Sequence, residues 1–267
     1  MSAGPDRQTF RRGVWLYPGV PALSLVDAVV AAEQCGLDEV WIADEGVARE
    51  PMAVLAAAAL RTSTIRLGVG ITSPLLRHPG AIAATLATIQ ELSDGRAVLG
   101  LGVGGHESLD PFELRADRPV ALLGDAITMA RAVLAGTPTP GYEPPPHRQP
   151  DASVPIWVGA RGAQLTRTGA RLADGLFLSG CTSEEHMRIV PDARSTDPSV
   201  QVALYQSASD IDERDSVRRW SDLPDILQAE LGAHSPDAIG VNLVDLRDPG
   251  FDAPRAVEGA AAVLAEV

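Results

Sequence analysis

Aromatic residues are scarce in this chain, 4% of 267 positions, and there are only two cysteines, Cys35 and Cys181. So few rings leave no platform on which nucleic-acid bases would stack. The cysteines lie far apart and form no Cys-x-x-Cys or Cys/His ligand spacing. They argue for a reducing, cytoplasmic setting rather than a disulfide framework. The histidines, at 78, 106, 147, 186 and 234, show no ligand spacing either, so no metal site is predicted. Neither a GxSxG nucleophile elbow nor a GxxxxGK[ST] phosphate loop occurs. No apolar run reaches the length of a membrane span, and the polar opening MSAGPDRQTFRRG lacks a signal-peptide core. Positive charge is in deficit as well. With 22 basic against 35 acidic side chains the net charge is -13, which excludes general binding to nucleic acid or anionic membranes.

What remains is the composition of an ordinary globular protein, 45% hydrophobic and 21% charged. Short apolar runs alternate with stretches of helical spacing. Strands are predicted at 13–17, 39–42, 66–71, 97–101, 155–158, 175–178, 201–204 and 238–243. Helices are predicted at 24–35, 51–61, 79–92, 119–135, about 163–173, 183–190, 224–233 and 254–267. Strands separated by helices cannot pair as hairpins, so the sheet is parallel. Eight such units favour a closed (β/α)8 TIM barrel over a doubly wound open sheet. No composition shift marks a boundary, which makes residues 1–267 one domain with 1–12 as a flexible N-terminal segment. The proline-rich stretch 136–153 reads as an irregular, mobile surface loop, and the charged stretch 210–221 fits no element.

In such barrels ligands collect where the strands end. The unusual residues fall there. Asp44-Glu45 follows the second strand; Thr72-Ser73 and Arg77-His78 follow the third. The stretch GRAVLGLGVGGHES (95–108) turns a buried strand into bare backbone at Gly100, Gly102, Gly104 and Gly105, with His106 and Glu107 beside it. Missing Cβ atoms let a flat or phosphorylated ligand approach the main chain. This stretch meets the bare GxGxxG pattern of a dinucleotide-binding turn, but His106–Pro111 interrupts any immediate helix and no acidic residue ends the next strand. Gly159-Ala160-Arg161-Gly162 joins a strand to a helix, where free N–H groups and the positive helix end suit a phosphate. A plain turn with a surface arginine is the competing reading. Glu107, among glycines at a strand end, is the better candidate for proton work; Asp44 and Glu45, each taken alone, read as a solvated loop pair.

Four stretches carry a resemblance: DEVWIAD (38–44), RLGVGITSPLLRHP (66–79), residues 95–107, and VPIWVGARGAQLTRTGARLADG (154–175). Together they resemble the luciferase-like superfamily of TIM barrels, and within it the coenzyme F420-dependent branch related to methylenetetrahydromethanopterin reductase. The resemblance covers residues 13–180 well and the rest weakly. It implies a non-prolyl cis peptide at Gly70–Ile71 backing a deazaflavin ring, with Thr72 and Gly102 at neighbouring strand ends. It implies that Asp44 lines the ring pocket, that Gly104, Gly105, His106 and Glu107 approach the ring and its tail, and that Glu107 acts as general acid. The turn Gly159, Ala160, Arg161, Gly162 would hold the tail phosphate. The chain departs from the pattern in carrying Glu45 where many relatives have a histidine, and in a shortened insertion and C-terminal region after Leu178. The implied activity is hydride transfer between deazaflavin C5 and a small organic substrate, with Asp44 and Glu107 as catalytic candidates. A reduced-FMN two-component monooxygenase and a non-catalytic F420- or flavin-binding protein are the alternatives. Relatives often form dimers, so a homodimer is the expected assembly.

Overall fold

A computed structural model describes residues 10–146, 152–210, 214 and 216–267. Eight parallel strands form its centre: β1 (Arg11–Leu16), β2 (Glu39–Ile42), β3 (Arg66–Thr72), β4 (Ala97–Leu101), β5 (Ile156–Val158), β6 (Gly175–Ser179), β7 (Gln201–Ala208) and, last in the chain, β9 (Ala238–Leu243). Each strand from β1 to β7 pairs with the next, β7 pairs with β9, and β9 pairs with β1. The sheet therefore closes on itself as a TIM barrel, and an open doubly wound sheet is excluded. A two-residue strand, β8 (Val217–Arg218), pairs with the end of β7 outside the ring.

The helices α1 (Ala22–Gln34), α2 (Pro51–Ala59), α3 (Pro79–Leu92), α5 (Pro119–Ala135), α6 (Ala163–Leu172), α7 (Ser183–Thr196), α8 (Leu223–His234) and α9 (Ala253–Ala265) surround the barrel. Their apolar faces meet the outward side chains of the strands in one continuous core, with Leu25, Leu55, Leu86, Ile127 and Leu264 essentially without exposure. Proline opens α2, α3 and α5 at a position where its missing N–H has no partner to lose.

Four of the chain's eleven aromatics lie together inside the barrel. Trp41, Trp157, Phe177 and Tyr205 fill its interior, with ring centroids 4.5 to 6.0 Å apart. Neighbouring strands make room for them with glycine: a Cβ on Gly68 would stand 2.4 Å from Trp41, and one on Gly240 2.2 Å from Tyr205. Beneath these rings Glu39, 1% exposed, accepts hydrogen bonds from Arg11 (2.8 Å), Arg66 (3.1 Å), Tyr205 Oη (2.9 Å) and Trp41 Nε1 (3.0 Å). One carboxylate thus fastens β1, β2, β3 and β7 together at the end of the barrel away from the strand C-termini.

Some sequence expectations shift. β1 starts at Arg11, so the last two residues of the segment expected to be flexible are sheet; residues 1–9 lie outside the described residues. A one-turn helix, α4 (His106–Leu109), directly follows the glycine stretch where an irregular interruption was expected; the Ser108 hydroxyl exchanges hydrogen bonds with the Gly105 backbone there. Helix α7 runs to Thr196 with Pro191 inside it. In the proline-rich loop Thr139 bridges Tyr142, and residues 147–151 lie outside the described residues. The unplaced stretch 210–221 contributes β8 and the start of a 3-10 turn at Trp220–Asp222, with 211–213 and 215 outside the described residues. Among the described residues no helix is long and apolar enough to cross a membrane.

Candidate active site

The strand C-termini surround a cavity of about 650 Å³, open to solvent on one side. Trp15 from β1, Ile71 from β3 and Phe177 from β6 give it apolar walls, while Ser207 and Asn242, at the ends of β7 and β9, add polar ones. A second hollow, about 690 Å³, opens at the opposite end between Arg11, Arg66, Arg131 and Trp157. Two of those arginines are committed to Glu39 and the third to Asp174. Chemistry in a parallel barrel belongs to the strand C-termini, where successive loops bring side chains from several strands together.

Most of the predicted positions meet at this cavity. Asp44, Gly70, Ile71, Gly104, Gly105, His106, Glu107, Gly159, Ala160, Arg161 and Gly162 all line it. The peptide bond between Gly70 and Ile71 is cis, and Trp15 Nε1 donates to the Gly70 carbonyl. A Cβ at Gly105 or Gly162 would meet no atom within 4 Å, so both faces are open to a ligand. Gly102 and Thr72 stand behind the wall instead. A Cβ at Gly102 would press on Ile71 at 2.6 Å, and Thr72 is fully buried with its hydroxyl donating to Asp44 Oδ2 at 2.6 Å. The His106 side chain is 94% exposed and pairs outward with Asp110 at 3.4 Å.

On the β5 side, α6 begins with Gly162 at its N-cap and no side chain satisfying its first N–H groups. Those donors and the partial positive charge of the helix end face the cavity beside Arg161. Arg161 Nη2 donates to the Ser179 carbonyl at 3.2 Å. Asn242 lies nearly fully buried in the wall, and its Oδ1 has no hydrogen-bond partner.

On the β1–β2 side the site is acidic, and its three carboxylates differ in their surroundings. Asp44 is buried between Thr72 and the Arg77 guanidinium, which also pairs with Glu50 at 3.2 Å. Glu107, on α4, accepts two hydrogen bonds from Arg247 at 2.9 Å each. Arg247 in turn lies over the Tyr17 ring, 4.9 Å from its centroid. Among the described residues Glu45 has no side-chain hydrogen-bond or ion-pair partner. Burial, reinforced by the negative Glu107 and Asp44 against the opposing Arg247, pushes its carboxyl up to about 7. Burial and the charges of Glu45 and Glu107 also raise the Tyr17 hydroxyl.

The family model described as luciferase-like monooxygenase matches residues 8–196. The chain belongs to the luciferase-like monooxygenase family. Among relatives of known activity, the 5,10-methylenetetrahydromethanopterin reductase of Methanolobus tindarius is 29% identical over 242 residues, 85% of this chain and 73% of that protein. The F420-dependent glucose-6-phosphate dehydrogenase of Beutenbergia cavernae is 32% identical over 178 residues, 60% of this chain and 52% of that protein. The chain thus spans about half the length of the latter. In fold, the coenzyme F420-dependent tetrahydromethanopterin reductase of Methanopyrus kandleri superposes with a TM-score of 0.76 at 20% identity, covering 94% of this chain and 97% of that one.

Part of the wall was not legible in the sequence. Trp15, Phe177, Ser207, Asn242 and Arg247 line the cavity but belong to no contiguous motif. Asn242 did leave a trace, as the one polar residue in an otherwise apolar strand. Arg247 left none: it sits in a 3-10 turn after β9, and only closure of the barrel brings it to Glu107.

Proposed function

We propose that this chain is an F420-dependent oxidoreductase that moves a hydride between the deazaflavin C5 and a small organic substrate. The observation that carries the reading is the form of the cavity: apolar walls and bare backbone on one side, an uncapped helix N-terminus with an arginine on another. Ile71, Trp15 and Phe177 offer the contact surface a flat heteroaromatic ring needs. Gly104 and Gly105 let it approach the main chain. The N–H groups opening α6, with Arg161, suit the phosphate of the cofactor tail. The name of one relative, an F420-dependent glucose-6-phosphate dehydrogenase, supports the same cofactor.

When bound, the deazaflavin supplies the hydride chemistry. The chain's part is to hold the ring against the Gly70–Ile71 wall, keep water from one of its faces, and orient a substrate over the other. Asp44 contributes as a buried ion pair with Arg77 that shapes the loop after β2, and Glu107 as the partner that fixes Arg247 across the mouth.

The test is a fluorescence titration of the purified chain with oxidised F420 and, separately, with FMN. Saturable F420 binding at micromolar concentration or better, with FMN weaker, is the expected result. Saturation by FMN alone would transfer the site to flavin chemistry. F420 binding without turnover of any compound in a broad panel of alcohols, ketones and enones would reduce the protein to a cofactor carrier.

A further inference from the structure

The acidic side of the mouth contains one ionisable group with nothing holding its charge in place. Asp44 is bound by Thr72 and Arg77, and Glu107 by both contacts to Arg247. Glu45 lines the same cavity with its carboxyl unpartnered among the described residues. It is faced by Tyr17 from the end of β1, by Glu107 from α4, by Arg247 from the turn after β9, and by Asp44 from its own segment. A carboxyl in this position is half-buried, open to a ligand, and surrounded by two negative groups and one positive.

We propose that Glu45 gives and takes the proton that accompanies hydride transfer in this cavity, with the Glu107–Arg247 pair as its positioning partners. This assignment rests on the deazaflavin reading. In the reducing direction a substrate carbonyl carbon receives the hydride of the reduced deazaflavin, which is thereby oxidised. The π pair of the C=O bond moves to oxygen, and that oxygen takes the Glu45 proton. The Glu45 carboxylate left behind recovers a proton from solvent. In the oxidising direction each transfer reverses. Burial and the Glu107 charge bring this carboxyl to about 7, so it can serve in either direction at neutral pH.

The same arrangement assigns a substrate class. Near Glu45 the cations are already engaged, Arg247 by Glu107 and Arg77 by Asp44 and Glu50. A phosphate or carboxylate close to the reacting carbon would meet acidic side chains without a counter-charge. The fitting substrates are uncharged ketones and alcohols.

The experiment combines a titration with a kinetic arm, both on the full chain. With glutamate carboxyl carbons labelled by 13C, NMR of the wild type should show one carboxyl with a midpoint near pH 7 that is missing from Glu45→Gln. Glu107→Gln should move that midpoint down and Arg247→Met should move it up. A wild-type Glu45 midpoint of 4–5 would overturn the assignment. Because a raised carboxyl pKa destabilises the fold once the group ionises, Glu45→Gln should also gain in Tm over the wild type as pH rises from 5 to 8; a constant difference counts against it. For kinetics, uncharged ketones are offered to the wild type with reduced F420. Glu45→Gln should keep F420 affinity within about twofold and lose about 10²- to 10⁴-fold in kcat, with Glu45→Asp recovering part of it. Loss of less than threefold, or reduction of none of the ketones by the wild type, overturns the proposal. Failure to bind F420 removes the cofactor reading and this assignment together. F420 binding with an ordinary Glu45 midpoint removes this assignment alone.

Discussion

Three carboxylates within one cavity mouth show how neighbours decide what the same functional group does. Asp44 and Glu107 each have a guanidinium against them, Arg77 and Arg247. Glu45, one residue along from Asp44, has no such partner among the described residues, and burial pushes its carboxyl up to about 7. Away from the site Glu33 shows the opposite case. Burial alone would raise its carboxyl, but the backbone N–H groups of Ile65, Thr64 and Ser63 and the Thr64 hydroxyl hold it down to about 2. A depressed carboxylate pKa contributes stability above its unfolded value of 4.5, and that contribution is lost as pH falls toward 2. Glu33 is partly exposed, so the effect is screened. Glu33→Gln should cost about 1–2 kcal/mol at pH 7 and progressively less toward pH 2 in urea unfolding series. A cost that does not change with pH would place Glu33 outside this account. Little of this division was legible in the sequence. Asp44-Glu45 stood out as a pair at a strand end, but spacing gives both residues the same reading, and only the contacts separate them.

At the scale of elements the sequence was more informative. Alternating apolar runs and helical spacing located all eight barrel strands and all eight outer helices, because each element buries one face against the next layer. The misses have physical causes. Helix α4 is a single turn and too short to show a period. Helix α7 continues through Pro191, which reads as a stop. β8 is two residues long. The helix that matters most for binding is α6, legible as a glycine turn opening a helix. Its N-cap, Gly162, sits at φ -79 and ψ 137 with open space around a would-be Cβ. Gly162→Asp should therefore cap the helix, raising stability by about a few tenths of a kcal/mol. Its carboxylate would occupy the place offered to the cofactor phosphate, so affinity for F420 should fall at least tenfold. Fluorescence titration and chemical unfolding of one variant read both effects. If affinity is retained within twofold, the phosphate is held elsewhere.

The whole molecule depends on contacts that no local pattern announces. Glu39 reads in sequence as the first residue of a strand, yet in the closed barrel it collects donors from Arg11, Arg66, Trp41 and Tyr205. The Tyr205 hydroxyl, fully buried and hydrogen-bonded to this carboxylate, is raised well above its ordinary value. Glu39→Ala would leave two guanidiniums and two ring donors without their acceptor, at a cost of about 3–5 kcal/mol. Glu39→Gln, which keeps an acceptor oxygen, should cost less. Urea unfolding of both variants tests this, and an alanine variant within 1 kcal/mol of wild type would refute it. The architecture was legible because closure follows from counting parallel units. The cross-barrel partnerships were not, since they join residues as much as 166 positions apart.

The two thiols bear on how such a molecule can be handled. Cys181 is fully buried beside the cavity, and burial pushes its thiol up to about 11, so at neutral pH it is protonated and shielded from electrophiles. Cys35 is exposed at the C-terminal end of α1, on the barrel face opposite the cavity. A thiol-directed dye or surface linker therefore has a single address on the folded chain. It attaches where it neither blocks the mouth nor quenches a fluorescent ligand inside it.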